Sequence, residues 1–113
     1  MREVKPRVLR HYVTPSGKTP FLEWLSSIKD PVTRMKIRRR LDRVALGNFG
    51  DYKVLGDELF ELKFVFGPGY RIYYSEQDDQ IIILLCAGDK GSQVKDIELA
   101  KSYLKELKVR CDE

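Results

Sequence analysis

Histidine occurs once in the chain and cysteine twice, and neither cysteine has a partner at metal-ligand spacing. Paired-histidine metal motifs, a Walker A loop, a dinucleotide fingerprint and a nucleophile elbow are all missing from the sequence. Metal-assisted and acyl-transfer chemistry lose most of their support, and no cofactor or metal is expected. Long hydrophobic runs are missing too. The longest, Ile81–Ala87, has seven residues, where a membrane span needs about 20. Met1-Arg-Glu-Val-Lys-Pro-Arg7 has no apolar stretch of the kind a secretion signal requires. With Cys86 inside an apolar run and Cys111 in a charged tail, the expectation is a protein of the reducing cytoplasm with no membrane partner.

What is present is the composition of an ordinary soluble domain, 42% hydrophobic and 34% charged. A chain of 113 residues can close one core without disulfide or metal staples, so a single domain over 1–113 is expected. No internal repeat or low-complexity segment interrupts it. Lys and Arg exceed Asp and Glu by 21 to 17, a net charge of +4, which permits a polyanionic partner without requiring one. The densest basic run is Arg34, Lys36, Arg38, Arg39, Arg40 and Arg43, whereas acids gather at Asp57, Glu58 and Glu61 and again at Glu76, Asp78 and Asp79.

The β-formers Val8, Tyr12 and Val13 mark a first strand over Arg7–Thr14, closed by the turn Thr14-Pro-Ser-Gly17. Thr19-Pro20 offers an N-cap and a proline at the first helical position, and Phe21, Leu22, Leu25 and Ile28 recur at helical spacing. Asp30-Pro31 repeats the start signal, and the stripe Met35, Leu41, Val44 and Ala45 runs on to Gly47, a C′ residue. The two helices form an αα-hairpin. Arg34, Arg38, Arg39 and Arg43 fall mostly off the stripe, either as a solvated face or as a contact for RNA backbone or a protein partner.

After Gly47-Asn-Phe-Gly-Asp51 the period changes to two. Glu58–Phe66 and Tyr70–Ser75, joined by Gly67-Pro68-Gly69, read as an antiparallel hairpin. Ile81–Ala87 does not alternate, as expected of a strand buried on both faces, and Gly88-Asp-Lys-Gly-Ser92 breaks it. Val94, Ile97, Ala100, Leu104 and Leu107 mark a last helix. The sum is an α+β domain: an antiparallel sheet of four or five strands, an N-terminal αα-hairpin and a C-terminal helix.

His11 stands alone on the first strand and reads as a partly buried strand residue. The alternation puts Phe60, Leu62, Phe64, Tyr70, Ile72 and Tyr74 on a core face, and Glu61, Lys63, Arg71 and Tyr73 on an opposite, open face. Lys53 precedes the hairpin and Lys90 follows the buried strand, so both approach that face from its rim. Opposed residues on antiparallel strands lie within about 5.5 Å at Cβ, which suits Lys63 and Arg71 to grip one phosphate. Cations that close need an anion between them, and Glu61 is the evident counter-ion. The same residues also read as a charge cluster that merely solvates a sheet face.

Three segments, Gly50-Asp-Tyr-Lys-Val-Leu-Gly-Asp-Glu-Leu-Phe-Glu-Leu-Lys63, Gly67-Pro-Gly-Tyr-Arg-Ile-Tyr-Tyr74 and Leu84-Leu-Cys-Ala-Gly-Asp-Lys-Gly-Ser-Gln93, resemble the phage-derived HigB-like branch of the RelE/ParE toxin superfamily. Thr19-Pro-Phe-Leu-Glu-Trp-Leu25, Arg39-Arg-Leu-Asp-Arg43 and Asp96-Ile-Glu-Leu-Ala-Lys-Ser-Tyr103 extend the likeness over nearly the whole chain. The resemblance implies a RelE-like fold and the toxin of a type II toxin–antitoxin pair. The usual activity is metal-free, ribosome-dependent mRNA endonuclease. It implies a helix-turn-helix antitoxin as partner, with DNA met only through the toxin–antitoxin complex.

By the same resemblance the catalytic positions are Lys63, Arg71 and Lys90, with Tyr73 and the RNA-binding Lys53 weaker matches, and the basic face of the second helix adds Arg38 and Arg39 as RNA-binding positions. Cleavage by the 2′-hydroxyl needs a proton acceptor, charge stabilisation and a proton donor for the leaving 5′-oxygen. Arg71 suits the phosphorane, because a guanidinium fork matches two phosphate oxygens, and Lys63 or Lys90 would handle protons with Tyr73 assisting. Two other functions stay open: a ParE-like inhibitor of DNA gyrase, and a non-catalytic regulator using the Arg34–Arg43 helix to bind nucleic acid or protein.

Overall fold

The computed structural model describes residues 5–111. Its elements are β1 (Val8–His11), α1 (Pro20–Ser27), α2 (Pro31–Ala45), β2 (Tyr52–Gly56), β3 (Leu59–Lys63), β4 (Arg71–Gln77), β5 (Ile81–Gly88), a 3₁₀ turn (Lys90–Ser92) and α3 (Gln93–Cys111). Both N-terminal helices begin at proline, as the sequence signals suggest. Thr19 makes no side-chain cap, whereas Asp30 accepts from the Val32 N–H at 3.1 Å and the Thr33 hydroxyl at 2.8 Å. Helix α2 ends as expected at Gly47, whose φ of +94° lets its N–H reach the Val44 carbonyl and the Asn48 N–H reach that of Arg43, both at 2.9 Å.

The five strands form one sheet in the order β1-β5-β4-β3-β2. Strands β2 to β5 are antiparallel neighbours, but β1 lies parallel to β5, from Val8 opposite Ile81 to His11 opposite Leu84. The sheet is therefore mixed, which corrects the expectation of an antiparallel one. The long, helix-bearing connection between β1 and β5 permits the parallel pairing that a short hairpin forbids. Strand β2 is an edge strand in the stretch between the expected loop Gly47–Asp51 and the expected hairpin. Asp57 and Glu58, both at positive φ, turn it directly into β3.

One face of the sheet packs on α1 and α2. Phe21, Leu25, Ile37, Leu41 and Val44 meet Leu62, Phe64, Ile72 and Tyr74, so the expected core face is correctly placed. The helix stripe needs a correction, since Ile37 is buried and Met35 is exposed. The opposite face is not open. Helix α3 covers it, packing Ala100 and Leu104 on Leu59, Tyr73, Ile83 and Leu85, while Val94, expected on the buried stripe, is exposed. The β5 run is apolar throughout because both its faces are covered, as expected, and a bulge there pairs Tyr73 with Cys86 and Tyr74 with Leu84. Leu85 and Cys86 thus both pack on the α3 side, with Leu84 and Ala87 on the other.

Strand β5 hands over to α3 through Gly88 and Asp89. The Asp89 carboxylate accepts from the N–H groups of Gly91 at 2.8 Å and Ser92 at 3.1 Å, while the Ser92 hydroxyl accepts from the Asp89 N–H, a capping box. Gly88 is buried, and a Cβ there would collide with Asp96 Oδ2 and Ser92 Oγ. Helix α3 reaches the sheet this closely only because position 88 has no side chain. Gly88→Ala should therefore lower unfolding stability by about 2 kcal/mol in urea titration. Gly88→Ala combined with Asp96→Ala should recover part of the loss, and an unchanged midpoint in the single variant would refute this account.

Candidate anion-binding site

Where α3 begins, two rows of the sheet bring charged residues together. Lys63 lies opposite Arg71 and Arg71 opposite Gly88, and in the next row Lys53, Glu61, Tyr73 and Cys86 stand in line across four strands. Glu61 is fully buried, which a carboxylate tolerates only with partners. Its Oε1 accepts from the Gln93 side-chain amide at 3.0 Å, the first residue of α3, and lies 3.4 Å from Arg71 Nε. Arg71 also donates through Nη1 to the Gly69 carbonyl at 2.9 Å. Gly69, at φ +77°, brings the turn alongside: a Cβ there would be 3.4 Å from both Arg71 Nη1 and the Cβ of Lys90. Lys90 N–H also points to the Pro68 carbonyl at 3.4 Å.

Of the expected residues, Arg71 and Lys90 meet at Gly69 and Lys63 is the cross-strand partner of Arg71, with Lys63 half-buried, Arg71 mostly buried and Lys90 exposed. Lys53 is exposed on the edge strand one row away. Tyr73 departs from expectation. Its side chain is fully buried beneath α3, so it offers nothing to a ligand from outside. Burial, and then the nearby Glu61 carboxylate, push its phenol well above the ordinary value of 10.0. His11 is exposed and stacks on Phe21 at 5.7 Å between centroids, and so is not the partly buried residue expected. Among the described residues no three His, Cys, Asp or Glu side chains converge as a metal site.

Arg38 and Arg39 are exposed on α2, on the far side of the sheet from Arg71. Arg39 lines a surface groove of about 760 Å³ between α2 and the end of β3, together with Lys36, Arg43 and Lys63, and Arg38 lies outside it. Arg40, at the same groove, is structural. Its guanidinium donates to the carbonyls of Lys63 and Asp51, each at 2.8 Å, and of Phe49 at 3.0 Å, and lies over the Phe64 ring.

No family model matches the chain. It is 46% identical over 87 residues to a protein of Haemophilus influenzae described as uncharacterized, a match covering 77% of this chain and 88% of that one. The chain belongs to that protein's family.

Gln93 and Arg40 were not singled out by sequence reasoning. Gln93 falls at the start of a helix, where nothing in the pattern reveals a buried carboxylate opposite it. Arg40 sits in a run of cations, although its place between the buried Ile37 and Leu41 is a signal that it faces the sheet.

Three buried polar atoms of the cluster, Glu61 Oε2, Arg71 Nε and the Tyr73 hydroxyl, have no hydrogen-bond partner. An unsatisfied buried hydroxyl is a net cost, so Tyr73→Phe should leave stability unchanged or raise it by up to about 1 kcal/mol. Tyr12→Phe, which loses a 2.6 Å bond to Glu106, should lower it by about as much. The folded-state pKa of Tyr73 lies above the unfolded one, so its contribution is complete below pH 10 and is lost as pH rises toward the folded value. Urea titrations between pH 9 and 11 should therefore fall less steeply for Tyr73→Phe than for the native chain, and parallel curves would exclude the assignment.

Proposed function

We propose that this protein is a RelE-like toxin of a toxin–antitoxin pair that cuts mRNA without a metal, on the ribosome, with Arg71 as the group that stabilises the reacting phosphate. The observation that carries this reading is the meeting of Arg71 and Lys90 at the Gly69 turn, with Lys63 paired opposite Arg71 on the next strand. The resemblance of the same segments to HigB-like toxins supports it. Arg71 is fixed by Glu61 and the Gly69 carbonyl, so its remaining N–H groups are oriented before any ligand arrives. A preoriented guanidinium stabilises a pentavalent phosphorane better than a mobile one.

In this mechanism the 2′-oxygen attacks phosphorus, the P–O5′ bond breaks, and a 2′,3′-cyclic phosphate and a 5′-hydroxyl result. The 2′-proton leaves to a base and the 5′-oxygen gains one. We assign those proton transfers to Lys63 and Lys90. Lys53 meets flanking phosphates. The partner is a helix-turn-helix antitoxin encoded beside the toxin, and DNA is met only through their complex.

Inducing the native chain should arrest growth, and primer extension should find new 5′ ends within translated mRNA. Arg71→Gln should lower cleavage by about 100-fold, and the exposed Lys90→Gln by a comparable factor. Full toxicity of Arg71→Gln at equal expression would sink the assignment. Intact mRNA with DNA damage and filamentation would instead identify a gyrase inhibitor, and unimpaired growth a non-toxic regulator.

A further inference from the structure

The groove of about 760 Å³ beside α2 lies on the other side of the sheet from Arg71, and its walls are cationic. Lys36, Arg39 and Arg43 follow one another along α2 at helical spacing, over about 10 Å of its length. Lys63 closes the groove from β3. The acids at its margin are Asp42 and Asp51, so five basic residues, Arg40 included, face two acidic ones, an excess of three.

The lining is not wholly polar. Val65 is 96% exposed, and the half-buried Phe66 ring carries Lys36 Nζ 5.1 Å from its centroid. Among the described residues, Lys36, Arg39 and Arg43 form no ion pair. The basic residues that do have internal work on this helix are others: Arg34, which donates to the Ile28 carbonyl, and Arg40, which holds three carbonyls.

We propose that this groove holds single-stranded RNA. Unpaired cations in a row meet successive phosphates, and the exposed Val65 beside the half-buried Phe66 offers an apolar surface for unstacked bases, a combination suited to a single strand. A duplex, whose bases are stacked inside, has no use for that surface. Lys63 both lines the groove and stands opposite Arg71. The groove therefore runs up to the Arg71 cluster, and a strand lying in it passes round the end of β3 toward Gly69. The inference rests on the proposed function only for that direction of travel. Binding in the groove stands or falls alone.

The test is fluorescence anisotropy of a labelled 2′-O-methyl oligouridine, which cannot be cut by 2′-hydroxyl attack, titrated with the whole chain over a range of salt. Lys36→Gln, Arg39→Gln and Arg43→Gln together should weaken binding at least tenfold and flatten the slope of log K against log salt by about 2, from three lost single-strand contacts. The single Arg43→Gln should show the same effect in smaller measure and guards against misfolding of the triple. A charge-matched control, Lys18→Gln, Lys101→Gln and Lys105→Gln, should change affinity less than twofold.

Equal loss in both triples, no loss in the first, or no binding by the native chain overturns the proposal. So does displacement of the oligonucleotide by duplex RNA or by an acidic peptide at lower concentration than by unlabelled single strand. Arg71→Gln separates the two claims. Retained binding with abolished cleavage supports both. Retained binding with no cleavage by the native chain on ribosomes removes the proposed function and leaves the groove.

Discussion

A carboxylate buried in the middle of a sheet face sets the terms for everything around it. Glu61 is fully enclosed between β3 and α3, and removing one partner from a buried ion pair typically costs about 3–5 kcal/mol. Arg71 is therefore drawn inward, and Gln93 is fixed at the first position of α3. The start of α3 in turn requires Gly88 to be bare and Asp89 to cap the turn above it. Lys90, on that capped turn, is thereby held beside the Gly69 loop. One burial thus links the seating of the last helix to the meeting of Arg71 and Lys90, so site and fold are not separable here.

Much of this was legible in the residues, and the failures have definite causes. Period-two alternation correctly sorted Phe60, Leu62, Phe64, Ile72 and Tyr74 onto one face. The other face was read as open because Glu61, Lys63 and Arg71 are charged, and charge normally marks solvent. The contrary signal was Leu59 on that same face, together with a last helix whose Ala100 and Leu104 need an apolar surface to cover. Weighing those two requires knowing which surface is left over after α1 and α2 have packed, and that is a property of the whole chain. The direction of β1 was hidden for the same reason, since no local pattern distinguishes a parallel partner from an antiparallel one.

The cations of α2 show a finer limit. Helical spacing puts Arg34, Arg38, Arg39 and Arg43 mostly off the apolar stripe, but does not show which carbonyls lie opposite Arg40. The strand ends at Lys63 and Asp51 and the loop at Phe49 supply three carbonyls that converge on Arg40, which consequently acts as a staple between helix and sheet. A basic run that looks uniform in sequence is thus divided by tertiary structure into residues that hold the fold and residues that are free to meet an anion.

The two buried Arg–Glu pairs make the same distinction between holding and binding. Arg7 and Glu76 approach to 2.7 Å, with Arg7 also on the Lys5 carbonyl and over the Phe49 ring. That guanidinium is fully committed to the fold. Arg71 stands 3.4 Å from Glu61, with Nε unbonded and one firm bond to Gly69, although a guanidinium carries five N–H donors. A purely structural pair would be expected to close as the first one does, because low dielectric makes an unmade hydrogen bond expensive. The second pair is left under-bonded where Lys90 meets the same Gly69 turn and Lys63 is the cross-strand partner of Arg71. Like charges so near each other are most stable with an anion among them, and the unused donors of Arg71 are where its oxygens would bond.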